Sequence, residues 1–155
     1  MMCSYSVNSA PFYRHTQFGT LTVAALVIAI VLIFIISDAT LWEAVTTAII
    51  FVLVVCLFLF YCLTIEIKDG EMVIRFGIGL IRKTFNLSDI QDVFPVRNRW
   101  YYGWGIHLTP HGWLYNVSGL EAVEIVLASG KHCRIGTDKP DQLAQAINDS
   151  RRPLA

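Results

Sequence analysis

The sequence predicts an α+β membrane protein: an N-terminal transmembrane helical hairpin, then an antiparallel β domain of about seven strands, then one C-terminal helix. Three observations carry this expectation. Two long apolar runs are almost free of charge, the pattern changes to period-two alternation at residue 63, and helical spacing returns near the C-terminus.

The 155 residues are 55% hydrophobic with a mean hydropathy of +0.54, more apolar than an ordinary globular chain. The excess is localised, because the only charges between Arg14 and Glu66 are Asp38 and Glu43. Phe18 to Ile36 and Leu41 to Leu63 each reach across the hydrocarbon of a bilayer at about 1.5 Å per helical residue. Backbone in lipid satisfies its own hydrogen bonds, so two spanning helices are expected, 18–36 and 41–63. Ser37-Asp38-Ala39 is short enough to force an antiparallel hairpin. Thr40 and Glu43 read as a capping box, and Trp42 as an interfacial tryptophan. The length of the first run and the immediate second run argue against a removable signal peptide. Arg14 precedes the first run and Lys68, Arg75, Arg82 and Lys83 follow the second, while the connector carries only acidic charge. The positive-inside rule then predicts a multi-pass membrane protein with both termini cytoplasmic and residues 1–17 as a cytoplasmic tail. Cys56 and Cys62 fall in the second predicted helix and Cys3 is far from Cys133, so no disulfide framework is read.

Residues 64–155 form the predicted β domain. Leu63, Ile65 and Ile67 alternate with Thr64, Glu66 and Lys68, Asp69-Gly70 is a hairpin turn, and Met72, Ile74 and Phe76 line the returning strand. Gly77-Ile78-Gly79 turns the chain into Leu80 to Leu87. Ile90 to Val96 continues as a strand whose Pro95 favours an edge or a bulge. Trp104, Ile106 and Leu108 face Trp113, Tyr115 and Val117 across Pro110-His111-Gly112. A third hairpin joins Ala122 to Leu127 and His132 to Ile135 through Ser129-Gly130. The last segment, 138–150, reads as a helix, with Asp138 as N-cap, Pro140 in the first turn, and Leu143, Ala146 and Ile147 as its apolar stripe.

This order of elements, together with the stretches Trp104-Gly105-Ile106-His107-Leu108-Thr109-Pro110, Gly112 to Leu120 and Arg134-Ile135-Gly136-Thr137-Asp138, resembles small bacterial two-helix membrane proteins with a bacterial pleckstrin-homology-like domain. The resemblance covers most of the chain from Leu63 onward. It implies a pleckstrin-homology-like fold at the inner membrane and brings with it no activity and no site residue.

The most unusual local feature is Trp100-Tyr101-Tyr102-Gly103-Trp104, preceded by Arg97 and Arg99. Rings beside guanidinium groups suit a lipid interface or the centre of a protein contact. Trp104, Trp113 and Tyr115 fall on the apolar phase of their strands and are expected as packing. Three consecutive aromatics cannot all face inward, so Arg97, Arg99, Trp100, Tyr101 and Tyr102 are the candidate binding residues. Arg82-Lys83 offers a second basic pair, for which a solvated strand face is the simpler use.

Function classes are narrowed by what is missing. With eleven basic and ten acidic residues from Thr64 onward, no one-signed field for nucleic acid exists. His107 and His111 straddle a turn without ligand spacing, and no nucleophile has a base context, so no metal, no cofactor and no enzyme are expected. Ala25 with Ala29, and Ala44 with Ala48, are small-residue faces for close helix packing. The expected role is a membrane-anchored, non-enzymatic binding or scaffolding module. Its expected partners are the lipid bilayer and a membrane protein or a second copy. The alternative is an accessory subunit of a larger membrane complex, assembled through the hairpin.

Overall fold

The computed structural model describes residues 12–36 and 43–151, and these form nine strands and three α-helices. Strand β1 (Tyr13–Phe18) leads directly into α1 (Thr20–Ile36). Helix α2 (Glu43–Phe60) leads directly back into β2 (Cys62–Lys68). β1 and β2 are antiparallel partners from Tyr13↔Ile67 to Phe18↔Cys62. The Gly19 amide donates to the Tyr61 carbonyl at 2.8 Å just beyond them, so one strand pair passes straight into the helix pair.

β3 (Glu71–Phe76) and β4 (Ile81–Asn86) complete a four-stranded antiparallel sheet in the order β1-β2-β3-β4. Asp69 and Gly70 both take positive φ, 51° and 81°, which is the twist that a two-residue hairpin needs. The second sheet contains β5 (Ile90–Arg97), β6 (Gly105–Thr109), β7 (Gly112–Asn116), β8 (Glu121–Leu127) and β9 (His132–Gly136), in the order β5-β8-β9-β7-β6. Its pairs are antiparallel except β7 with β9, which is parallel. Both sheets and helix α3 (Pro140–Arg151) contribute to one buried cluster. Leu63, Ile65, Met72, Ile74 and Phe76 come from the first sheet, Val123, Ile125 and Ile135 from the second, and Leu143 and Ile147 from α3.

Several expectations are corrected by this architecture. Among the described residues no helix is long and apolar enough to cross a membrane. With 17 and 18 residues, α1 and α2 measure about 26 and 27 Å, short of the roughly 30 Å of hydrocarbon. The reason is local: Phe18, Cys62 and Leu63, assigned to the helices by hydropathy, are claimed by β1 and β2. The multi-pass inner-membrane location with cytoplasmic termini loses its basis with the two spans. The pleckstrin-homology-like arrangement is also overturned. The described residues form nine strands rather than about seven, one of them drawn mostly from the supposed tail, and the second sheet is not a simple meander. Cys62 lies buried in β2, not in a helix. α3 begins at Pro140, two residues beyond Asp138, whose carboxylate meets the His15 ring on β1. The connector 37–42, with Thr40 and Trp42, lies outside the described residues, as does Cys3.

The β3–β4 turn is held against the end of α2. Gly77 has φ +49°, and a Cβ there would strike the carbonyl oxygens of Phe58 and Leu59; Gly70, at φ +81°, has open space around it. Alanine at Gly70 therefore costs only the left-handed backbone penalty of about 1–2 kcal/mol, while Gly77→Ala adds a backbone collision. We expect Gly77→Ala to lower the thermal midpoint clearly more than Gly70→Ala in the same scan. Equal shifts would contradict the packing described.

Candidate functional site

The connection from β5 to β6 has to cross the second sheet from one edge to the other. It does so through Asn98 to Trp104, and the candidate residues ride on this crossover. Arg97 closes β5 and faces Glu121 at 3.7 Å, an exposed ion pair apart from the rings. Arg99 precedes a 3-10 turn formed by Trp100–Tyr102, which Gly103 ends at φ 68°. The Arg99 guanidinium donates to the Tyr101 hydroxyl at 2.7 Å and lies 5.8 Å from that ring's centre. The Tyr101 hydroxyl accepts this bond, and it holds the guanidinium above its ordinary pKa. Rings 100, 101 and 102 stand edge to face, at 6.0 and 5.0 Å between centres, and Tyr102 continues to His111 at 6.3 Å. Four of the five predicted residues thus form one cluster. Trp100 is 78% exposed and Tyr101 55%, so the outer end of this ladder faces outward.

The crossover is fastened at both ends. The Asn98 amide donates to the Leu120 carbonyl at 2.7 Å, and the Trp104 indole donates to the Gly119 carbonyl at 3.3 Å. Asn98 is buried, and its side-chain carbonyl accepts from Arg134 Nη1 at 3.3 Å. Arg134, only 8% exposed on β9, also donates through Nε to Glu124 at 2.6 Å, and the other Glu124 oxygen meets His132 Nδ1 at 2.9 Å. Burial pushes the Glu124 carboxyl up, but the hydrogen bonds and charges of His132 and Arg134 outweigh it, so the group sits below its ordinary value. Sequence reasoning missed Arg134, Glu124 and Asn98. Glu124↔Arg134 is a direct cross-strand pair, and opposite charges at matched positions of a hairpin were the available signal.

The indoles expected as packing are placed differently. Trp113 is 47% exposed and Trp104 38%, while Leu114 and Asn116 on the other phase of β7 are buried. Both faces of the second sheet are therefore covered in part, with Leu114 buried on the face opposite Trp113. Tyr115 does reach the core, with its ring 6.4 Å from Phe76 and from Phe85.

The loop after β7 also receives the hairpin. The Thr22 hydroxyl of α1 donates to the Val117 carbonyl at 2.6 Å, and Gln17 of β1 donates to the Ser118 carbonyl at 3.0 Å. Trp104 and the base of α1 thus share one loop. A cleft of about 580 Å³ opens at that base, lined by Phe18, Val23, Leu57, Phe58, Tyr61 and Ile78. Among the described residues, no three His, Cys, Asp or Glu side chains converge to hold a metal. What the crossover offers is contact chemistry: ring faces, a phenol and a guanidinium.

No protein-family model, curated protein or solved structure matches this chain.

Two outcomes follow from the buried network. Removing Arg134 takes the donor from the Asn98 side-chain carbonyl and leaves Glu124 with His132 alone; because solvent and His132 still reach Glu124, Arg134→Ala should cost about 2–3 kcal/mol, less than breaking a fully buried pair. Urea unfolding measures this, and a loss of a few tenths would refute the role. Glu124 has a lowered folded value, so its contribution is fully present above the unfolded carboxylate value near about pH 4.3. It fades as pH falls through the folded value. Wild type should lose stability more steeply than Glu124→Gln on acidification below that point, and parallel profiles would contradict the assignment.

Proposed function

We propose that the protein is a non-enzymatic binding module which takes a lipid bilayer as the partner of its helical hairpin and uses the aromatic crossover as its contact surface. The observation that carries this is the state of the hairpin. No described side chain of α1 or α2 is buried, and both helices are apolar around their whole circumference. A helix apolar on every side requires an apolar environment. Exposed patches beyond a few hundred Å² ordinarily mark a binding surface, and this one includes Val27, Ile28, Val31, Phe34, Ile35, Phe51, Val52 and Phe58. Phe12 and Phe18 extend the exposed apolar surface onto the strand side.

For the crossover, the composition supports recognition. Tryptophan, tyrosine and arginine dominate the energetic centres of interfaces. Arg99 and Tyr101 order each other before any partner arrives, which lowers the entropy lost on binding.

A second reading, an accessory subunit that docks through the hairpin, is favoured by one feature. Ala44 and Ala48 lie in an apolar groove along α2 with Val45, Ile49, Val52 and Leu53, and small residues at this spacing let a second helix approach closely.

Flotation of the full-length chain with liposomes separates the two. Residues 64–155 alone are unsuitable for this test, because they lack β1 and part of β2. We expect the chain to rise with vesicles and to stay bound at about 1 M salt, where the screening length is about 3 Å and apolar burial persists. The double change Trp100→Ala with Tyr101→Ala should leave flotation intact. Failure to float, together with a stoichiometric protein partner in mild detergent, would overturn the lipid reading in favour of the second.

A further inference from the structure

The β3–β4 turn combines features that neither the hairpin nor the crossover explains. Its sequence Gly77-Ile78-Gly79-Leu80 exposes two aliphatic side chains, Ile78 at 60% and Leu80 at 74%. The turn is fixed to the hairpin rather than loose. The Gly77 amide donates to the Cys62 carbonyl at 2.8 Å, and the close approach of Gly77 to the last turn of α2 locks its height relative to the helices. Ile78 also lines the cleft with Phe18, Phe58 and Tyr61, so the turn's apolar surface continues that of the hairpin without a break.

One residue back on each strand, Arg75 and Arg82 stand directly opposite each other. Like charges in that position destabilise a sheet. Arg75 is partly compensated by Glu66 at 3.5 Å, whereas among the described residues Arg82 makes no ion pair. Alternation places Arg75, Arg82 and the exposed Phe18 on the outward face of the first sheet, away from Ile74 and Phe76 in the core. The result is an aliphatic tip with two guanidinium groups one step behind it. A phosphate placed between them turns their repulsion into attraction, and the planar fork of arginine matches phosphate oxygens in pairs.

We propose that this turn docks on an anionic lipid surface, with Ile78 and Leu80 at the acyl boundary and Arg75 and Arg82 on headgroup phosphates. The proposal rests on lipid as the hairpin's partner. It adds a lipid class and a fixed tilt of the β domain, with the β3–β4 edge toward the bilayer. Charge complementarity selects the occupant, since a neutral protein surface would leave Arg82 without a counter-charge.

The test is amide hydrogen exchange of residues 76–83 in the full-length chain, on vesicles of phosphatidylcholine alone and on vesicles that also contain phosphatidylserine. Exchange in this segment should slow several-fold on the anionic vesicles relative to the neutral ones. Arg82→Gln should remove most of that difference, and Ile78→Ser with Leu80→Ser should abolish it while the chain still floats. Protection of β8 in the same experiment reports that each variant is folded. A chain that floats with unchanged exchange at 76–83 would overturn the docking and leave the lipid reading standing. A chain that does not float would overturn both. The same slowing produced by inorganic phosphate without vesicles would replace the surface with a soluble anion and overturn the proposal.

Discussion

A six-residue pairing between Tyr13–Phe18 and Cys62–Lys68 gathers the two ends of an apolar helical hairpin into one edge of a sheet. The pairing is mostly backbone, reinforced by the hydroxyls of Thr16 and Thr64 at 2.9 Å. Its consequence for the helices is geometric. Because both strands continue into helices without a loop, α1 and α2 cannot swing freely about the β domain. The Thr22 and Gln17 bonds to Val117 and Ser118 tie the same base to the second sheet. The orientation of the apolar surface is therefore set by hydrogen bonds at residues 17–22 and 61–77, a short span of the chain.

The same constraint explains what the second sheet does. Its crossover from β5 to β6 ends beside the hairpin base, because the Gly119 carbonyl accepts from Trp104 and from Asn116 while Val117 and Ser118 accept from the first sheet's side. Arg134 fixes the other end from beneath. A buried charge held by two polar partners is poor as a source of stability but good at specifying one arrangement, and here the arrangement specified is the path of the aromatic segment.

Much of the local structure was legible in the sequence, and the misses have physical causes. Asp69-Gly70 and the alternation of Leu63 to Phe76 identified a hairpin because turn chemistry and period two agree there. β1 escaped notice because its inward positions, Tyr13, His15 and Gln17, are amphipathic or polar, so alternation carries no hydropathy signal. Its partner lies more than forty residues away, beyond the reach of local pattern. That single omission misplaced the ends of both helices, since hydropathy counts Phe18, Cys62 and Leu63 as lipid-facing while the ladder uses them as strand. The parallel contact of β7 with β9 is likewise non-local. At the candidate site, the exposed rings could be found by counting aromatics that cannot share one face. The support beneath them could not, because burial of Arg134 depends on how the crossover folds back over the sheet.

Whether β1 closes the first sheet across the hairpin is decided by cross-linking positions 16 and 64, whose side chains touch in this register. With Thr16→Cys and Thr64→Cys together, mild oxidation should give an intramolecular linkage, mapped by mass spectrometry, in the full-length folded chain. The control is Thr16→Cys with Thr84→Cys, which places the second thiol on β4 at the opposite edge of the sheet and should remain unlinked. Linkage of the control pair but not of 16 with 64 would contradict the strand pairing on which the placement of the helices depends.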